Sequence, residues 1–301
     1  MIDRRTVLAA TAAGALAACA QGGEGTVPSQ READGQEALS GFAVNAESWY
    51  LDTPFLERFD RAVRDGFTHV EFWGPEGEDR TPQAIAKAAS DAGLNVIQIV
   101  GGAPLLARSD AATRQQFLDM SERTVEHAAL FGCDIATIVG HNDVDGVSKA
   151  DSLKAYADHL AAAAPIFEAA GVTAAIEPFN PYNHPGHFLY GSADAMAVVD
   201  AVGSPRVKIN WDLFHMQRYE GELIGNLRKA RDTIGYVQLA DAPDRGQPGT
   251  GDVDYANVVK AVREAGYARP IGLEFWAADG DYDRAVADML ALSGRIAALG
   301  A

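Results

Sequence analysis

From Gly41 onward the chain repeats one rhythm: a short apolar run, a loop marked by Gly or Pro, then a stretch with helical spacing. The sequence predicts strands near Phe42–Asn45, His69–Phe72, Val96–Val100, Ile135–Val139, Val172–Glu177, Val207–Trp211, Tyr236–Leu239 and Ile271–Phe275. Each run is nearly continuous in apolar residues, the pattern of strands covered on both faces. Between them Phe117, Met120, Thr124, Ala128 and Phe131 step by three or four residues, and Gly132 supplies a stop. Ala155, Leu160, Ala164 and Phe167 behave likewise before Gly171. A further helix is expected to begin near Ser192, with Ser-Ala-Asp as its cap. Eight strand–helix units argue for a parallel α/β sheet with right-handed crossovers. A closed (β/α)8 TIM barrel is expected over an open doubly wound sheet. The count is eight, and polar residues stand at nearly every strand end, which a barrel gathers on one face.

The first forty residues do not share this rhythm. Arg4-Arg5 precedes an Ala-rich stretch, Val7 to Ala18, that is too short to span a bilayer as a helix. Leu16-Ala17-Ala18-Cys19 closes it, with small residues ahead of a thiol that can accept a lipid. The arginine pair resembles a twin-arginine signal and the second run a lipobox. Ala20 to Ser40 is rich in Gly, Gln, Glu and Ser, the composition of a flexible tether. The expected organisation is a signal peptide over 1–18, a lipid-anchored tether over 19–40 with lipidation at Cys19, and a catalytic barrel over 41–301. The implied location is outside the bacterial cytoplasmic membrane, on its periplasmic or outer face, with membrane contact only through the lipidated terminus. Twin-arginine export carries folded proteins, so a metal would be loaded before export.

Composition narrows the partners. The formal net charge is −17, and removing residues 1–18, with Arg4, Arg5 and Asp3, makes it one unit more negative. Such a surface repels phosphate backbones, so nucleic acid is excluded as a partner, and a small-molecule substrate is expected instead. A homo-oligomer is compatible with the sequence. Cys19 and Cys133 are the only cysteines, so no disulfide framework is expected, and Cys133 reads as a small buried thiol. No Gly-x-Gly-x-x-Gly or Walker pattern occurs, so no nucleotide cofactor is expected; Gly101-Gly102-Ala103-Pro104 reads as a strand-to-helix turn.

Four successive strands carry a polar residue suited to a metal at or near their ends: Glu177, Asp212, Gln238 and Glu274, spaced by 35, 26 and 36 residues. One strand-end carboxylate usually caps a helix or pairs with a surface cation. Four at equivalent places point to a shared site, because three converging carboxylates repel unless a cation neutralises them. An oxygen-only donor set favours Mg²⁺ or Mn²⁺. Two glutamates at one metal suit proton transfer beside a carbonyl. The metal stabilises the enediolate, one glutamate removes a proton and the other returns one. Glu71 and Glu47 are expected to support this set rather than to ligate. Trp49, Trp73, Trp211 and Trp276 stand at strand exits, equally suited to a substrate wall and to rim packing.

Ile176-Glu177-Pro178-Phe179-Asn180, Pro185-Gly186, Trp211 to Arg218, Glu220-Gly221, Val237 to Asp241, Pro248 to Gly251 and Leu273-Glu274-Phe275 resemble the hydroxypyruvate isomerase family, within the xylose-isomerase-like barrels. The resemblance covers Gly41 to about Trp276 and is strongest after Val172. It implies that Glu177 and Glu274 are the proton donor–acceptor pair and also metal ligands, with Asp212 and Gln238 completing the sphere. It further implies that His215 and Arg245 contact substrate oxygens. Related sugar epimerases carry His in place of Gln238, which favours the hydroxypyruvate branch. This chain departs from the family in Pro181-Tyr182-Asn183-His184-Pro185-Gly186-His187 and in Gly140-His141-Asn142-Asp143, where His141 and His187 are further candidates for substrate binding and His184 reads equally as a surface residue. The expected activity is isomerisation of hydroxypyruvate to tartronate semialdehyde. The alternatives are a ketose 3-epimerase or related sugar or cyclitol isomerase or lyase, and, in another class, a sugar-binding lipoprotein without turnover. A multi-zinc nuclease of the same superfamily is disfavoured by the charge and by His69, His127 and His159, which read as strand-start or helix residues.

Overall fold

The computed structural model describes residues 38–300. The expected signal peptide, Cys19 and residues 19–37 of the expected tether lie outside the described residues. The strands are β1 (Phe42–Asn45), β2 (His69–Phe72), β3 (Asn95–Val100), β4 (Ile135–Ile138), β5 (Thr173–Ile176), β6 (Val207–Asp212), β7 (Ile234–Leu239) and β8 (Ile271–Leu273). They pair in parallel and in chain order, and β1 also pairs with β8, so the sheet closes into the expected TIM barrel.

The helices are α1 (Arg58–Arg64), α2 (Pro82–Ala92), α3 (Ala111–Phe131), α4 (Lys149–Ala170), α5 (Gly191–Val202), α6 (Leu213–Tyr219), α7 (Leu223–Ala230), α8 (Tyr255–Glu264) and α9 (Tyr282–Ala298). Local chemistry sets their ends. Thr81, Asp110 and Ser148 accept hydrogen bonds from the first turns of α2, α3 and α4, and Gly93, Gly132 and Gly171 close those helices in the left-handed region. Helix α5 differs from expectation. It begins at Gly191 with no side-chain cap from its own start, and Ser192 donates from its backbone N–H and its hydroxyl to Glu220 Oε2 at 3.1 and 3.0 Å. A carboxylate from the loop after α6 satisfies this helix start, a long-range solution that local sequence does not encode.

The main core lies between strands and helices. A small separate cluster holds Ala43, Ile97, Ile135, Ala175 and Tyr236. Four of these precede Asn45, Thr137, Glu177 and Gln238 by two residues, so they share a strand face with them. Apolar side chains therefore sit below, and polar ones line the same face nearer the strands' C-terminal ends. Cys133, joining α3 to β4, is buried and unpaired, and burial pushes its thiol up to about 12.

Candidate active site

Glu177 follows β5, Asp212 ends β6, Gln238 lies within β7 and Glu274 follows β8, and Asp212 pairs with Gln238 in register. All four are buried. A cavity of about 350 Å³ opens above them, with Glu177, His215, Arg245 and Glu274 as its polar lining and Trp73, Trp276, Phe179, Val100, Val139 and His184 as its walls. Asp212 divides its two oxygens. Oδ1 accepts the Phe214 N–H at 2.8 Å and caps α6, while Oδ2 lies 3.1 Å from Arg245 Nη2 and 3.4 Å from His215 Nε2.

Arg245 Nη2 also lies 3.3 Å from Glu274 Oε1, so one guanidinium joins carboxylates of β6 and β8. Its loop is built to hold it there. The Asp241 carboxylate accepts the backbone N–H groups of Ala242, Gly249, Gly251 and Val253 at 2.8–3.4 Å. This turn keeps Arg245 at φ 60°, the left-handed region a side chain rarely occupies. The guanidinium lies over the rings of Phe214 and Trp276, 5.0 and 5.4 Å from their centroids. Trp73 Nε1 donates to Glu274 Oε1 at 3.1 Å.

Electrostatics follow from burying three carboxylates beside one cation. Burial, then the charges of Glu274 and Asp212, hold Glu177 well above the ordinary carboxylate range. Burial raises Glu274 to about 8 against the pull of Arg245. Asp212 is raised by burial, again against Arg245. Burial lowers Arg245, but Glu274, Asp212 and Glu177 outweigh it, and the guanidinium sits above its ordinary value. One atom each from Glu177, Asp212 and His215 lie within 4.8 Å of one another, close enough to share an ion.

Gln238 ties the quartet to a second polar layer. Its Nε2 donates to Glu71 Oε1 at 3.0 Å, and its Oε1 accepts from Asn210 Nδ2 at 2.6 Å. Glu71 also accepts from Asn45 Nδ2 at 2.9 Å and from the Tyr236 hydroxyl. Burial, partly offset by these donors, pushes its carboxyl up to about 7. Glu71 thus supports the site by fixing the Gln238 amide. Glu47 instead pairs with Arg80 at 3.0 Å.

The histidines divide. His215 is fully buried, lines the cavity and accepts at Nδ1 from Asn180 Nδ2 at 2.7 Å. His184 also lines it, stacked on Phe179 with ring centroids 4.2 Å apart. The sequence left His184 undecided between loop surface and site. His141 and His187 pack against Phe179 and are not among the lining residues. His141 Nε2 bonds the Glu177 carbonyl oxygen at 2.9 Å, and its Nδ1 lies 3.0 Å from His187 Nδ1. This pair therefore braces the main chain of Glu177. Trp73 and Trp276 form walls, whereas Trp49 and Trp211 are buried packing residues. Sequence reasoning missed Asn180, Phe179 and Val139; Asn180 was visible in the Glu-Pro-Phe-Asn run but carried no charge to mark it.

Residues 59–292 match the family described as xylose isomerase-like TIM barrel. The hydroxypyruvate isomerase of Escherichia coli is 30% identical over 239 residues, covering 78% of this chain and 92% of that protein. The 2-oxo-tetronate isomerase of Cupriavidus necator is 31% identical over 241 residues, with 78% and 92% covered. Among solved structures, an AP endonuclease, family 2, from Brucella melitensis superposes with a TM-score of 0.72 at 26% identity, covering 78% of this chain and 93% of that one.

Proposed function

Because the chain belongs to the xylose isomerase-like TIM barrel family, we propose that it is a divalent-metal-dependent isomerase of a small α-hydroxy carbonyl compound, with hydroxypyruvate to tartronate semialdehyde as the specific reaction. The observation that carries this reading is the pair Glu177 and Glu274, directly after β5 and β8, facing one cavity with Asp212 between them in chain order. Named isomerases at about this distance in sequence support it.

The residues fit a hard cation. One guanidinium pairs with two of the three buried carboxylates, Asp212 and Glu274, and a divalent ion would let all three ionise together. Glu177, Asp212, Gln238 and Glu274 would hold Mg²⁺ or Mn²⁺ through oxygen. Such an ion, when bound, supplies Lewis-acid stabilisation of the negative charge that develops on the substrate oxygens. Burial raises both carboxyls, so each can hold a proton at neutral pH, and a bound cation would favour the ionised form of the one that accepts. One removes the proton from the hydroxyl-bearing carbon beside the carbonyl, the other delivers a proton to the carbonyl carbon, and the hydroxyl proton passes to the former carbonyl oxygen.

A second reading, a ketose epimerase, draws on the walls. Trp73, Trp276 and Phe179 around about 350 Å³ offer more apolar surface than a three-carbon acid can cover. Following solvent deuterium into hydroxypyruvate and into a panel of ketoses, with Mg²⁺ or Mn²⁺ and after chelation, tests both. Metal-dependent exchange into hydroxypyruvate is expected; exchange into ketoses alone moves the assignment to the second reading. Exchange into none of them overturns the isomerase.

A further inference from the structure

The polarity of the hydrogen bond between Asn180 and His215 has a chemical consequence. Asn180 is fully buried, and its Oδ1 accepts the backbone N–H groups of Tyr182 and Asn183, each at 3.0 Å. Backbone N–H groups only donate, so these two bonds fix which end of the amide is oxygen. The atom 2.7 Å from His215 Nδ1 is therefore the NH₂ nitrogen, which also only donates. Nδ1 must accept, and the ring proton must sit on Nε2. Nε2 is buried without a hydrogen-bond partner, between Asp212 Oδ2 at 3.4 Å and Glu177 Oε1 at 3.7 Å. Phe179 and His184 pack on the ring with centroids 5.1 and 5.2 Å away.

We propose that Asn180 is a positioning residue that locks His215 as an Nε2–H donor, which keeps His215 out of the metal's coordination sphere. Distance alone groups His215 with Glu177 and Asp212 as a three-ligand set. Ligation through Nε2 would need its lone pair, and that would move the proton to Nδ1 against the Asn180 amide. The metal is left with oxygen donors, the chemistry that favours Mg²⁺ or Mn²⁺ over Zn²⁺. The inference rests on the metal-dependent reading above, but its test does not use turnover, so either can fail alone.

The test uses the full chain labelled with ¹⁵N-histidine, the His215 signals being assigned by their loss in His215→Gln. In the wild type we expect an unprotonated Nδ1 and a protonated Nε2, both before and after one equivalent of Zn²⁺. An Nδ1–H ring, or loss of the Nε2 proton with one equivalent of Zn²⁺, overturns the proposal. Asn180→Asp keeps an acceptor for Tyr182 and Asn183 but presents an acceptor to His215. Its ring should change to Nδ1–H, and the ratio of Zn²⁺ to Mn²⁺ affinity should rise by about tenfold. A ratio accounts for the added charge, which strengthens both ions, and a merely structural role would move neither ratio nor tautomer. An Asp variant that keeps Nε2–H with an unchanged ratio contradicts the assignment.

Discussion

Gly272 in β8 exists for its neighbour across the barrel. A Cβ at that position would clash with the Glu71 carboxyl, which hydrogen bonds from Asn45, Tyr236 and Gln238 hold in place. Gly272→Ala should therefore cost about 1–3 kcal/mol of stability by overpacking and displace the Gln238 amide. Denaturant unfolding with a metal titration checks both effects, and an Ala variant as stable as the parent would show that Glu71 can move. His141 carries a pH signature. Burial, then the neighbouring His187, lowers it from 6.5 to about 3. Between those values the unfolded chain binds a proton that the folded chain refuses. The stability this neutral ring contributes is complete above pH 6.5 and is lost as the pH falls toward 3, by up to about 1.4 kcal/mol per pH unit. His141→Gln retains an N–H for the Glu177 carbonyl and does not titrate, so its unfolding midpoint should fall less on acidification. Parallel curves for the two proteins would remove His141 from the acid response.

At the scale of elements, the loop from Asp241 to Val253 matters most. One carboxylate organises four backbone N–H groups, and the turn it builds delivers Arg245 to Asp212 and Glu274. Asp241→Ala orphans those donors at a cost of about 1–3 kcal/mol for the turn. It should also raise KM and lower kcat/KM by up to about a hundredfold, since Arg245 loses its placement. Steady-state kinetics on the accepted substrate check this, and unchanged KM would mean that the loop holds without its cap. The barrel and all eight strands were legible because apolar runs at a regular interval report burial on both faces. The quartet of strand-end residues was legible for a related reason: polar groups among apolar runs stand out. The inner layer was not. Asn45, Gln98, Thr137, Asn210 and Tyr236 sit in runs that read as apolar overall, and only the closed sheet brings Asn45 and Tyr236 to Glu71, Asn210 to Gln238, and Thr137 between Asn210 and Gln98. The start of α5 was misread because its partner, Glu220, lies 28 residues away. The two histidines first assigned to substrate, His141 and His187, fold behind Phe179, and a loop's direction is set by packing that its composition does not reveal.

Taken whole, the molecule separates its functions end to end. The chain passes from Leu39 into β1 at Phe42, at the N-terminal ends of the strands, while the cavity lies at their C-terminal ends. The acidic surface, net −17 over the chain, opposes a nucleic-acid substrate and leaves small molecules as the fitting partners. Glu177 and Glu274 face one cavity, and the proposed reaction assigns its two proton transfers to them. The most direct test is solvent deuterium exchange into bound substrate by Glu177→Gln and Glu274→Gln, each loaded with Mn²⁺. The account predicts that each variant still binds substrate and that neither exchanges. Near-normal exchange by either variant would contradict it.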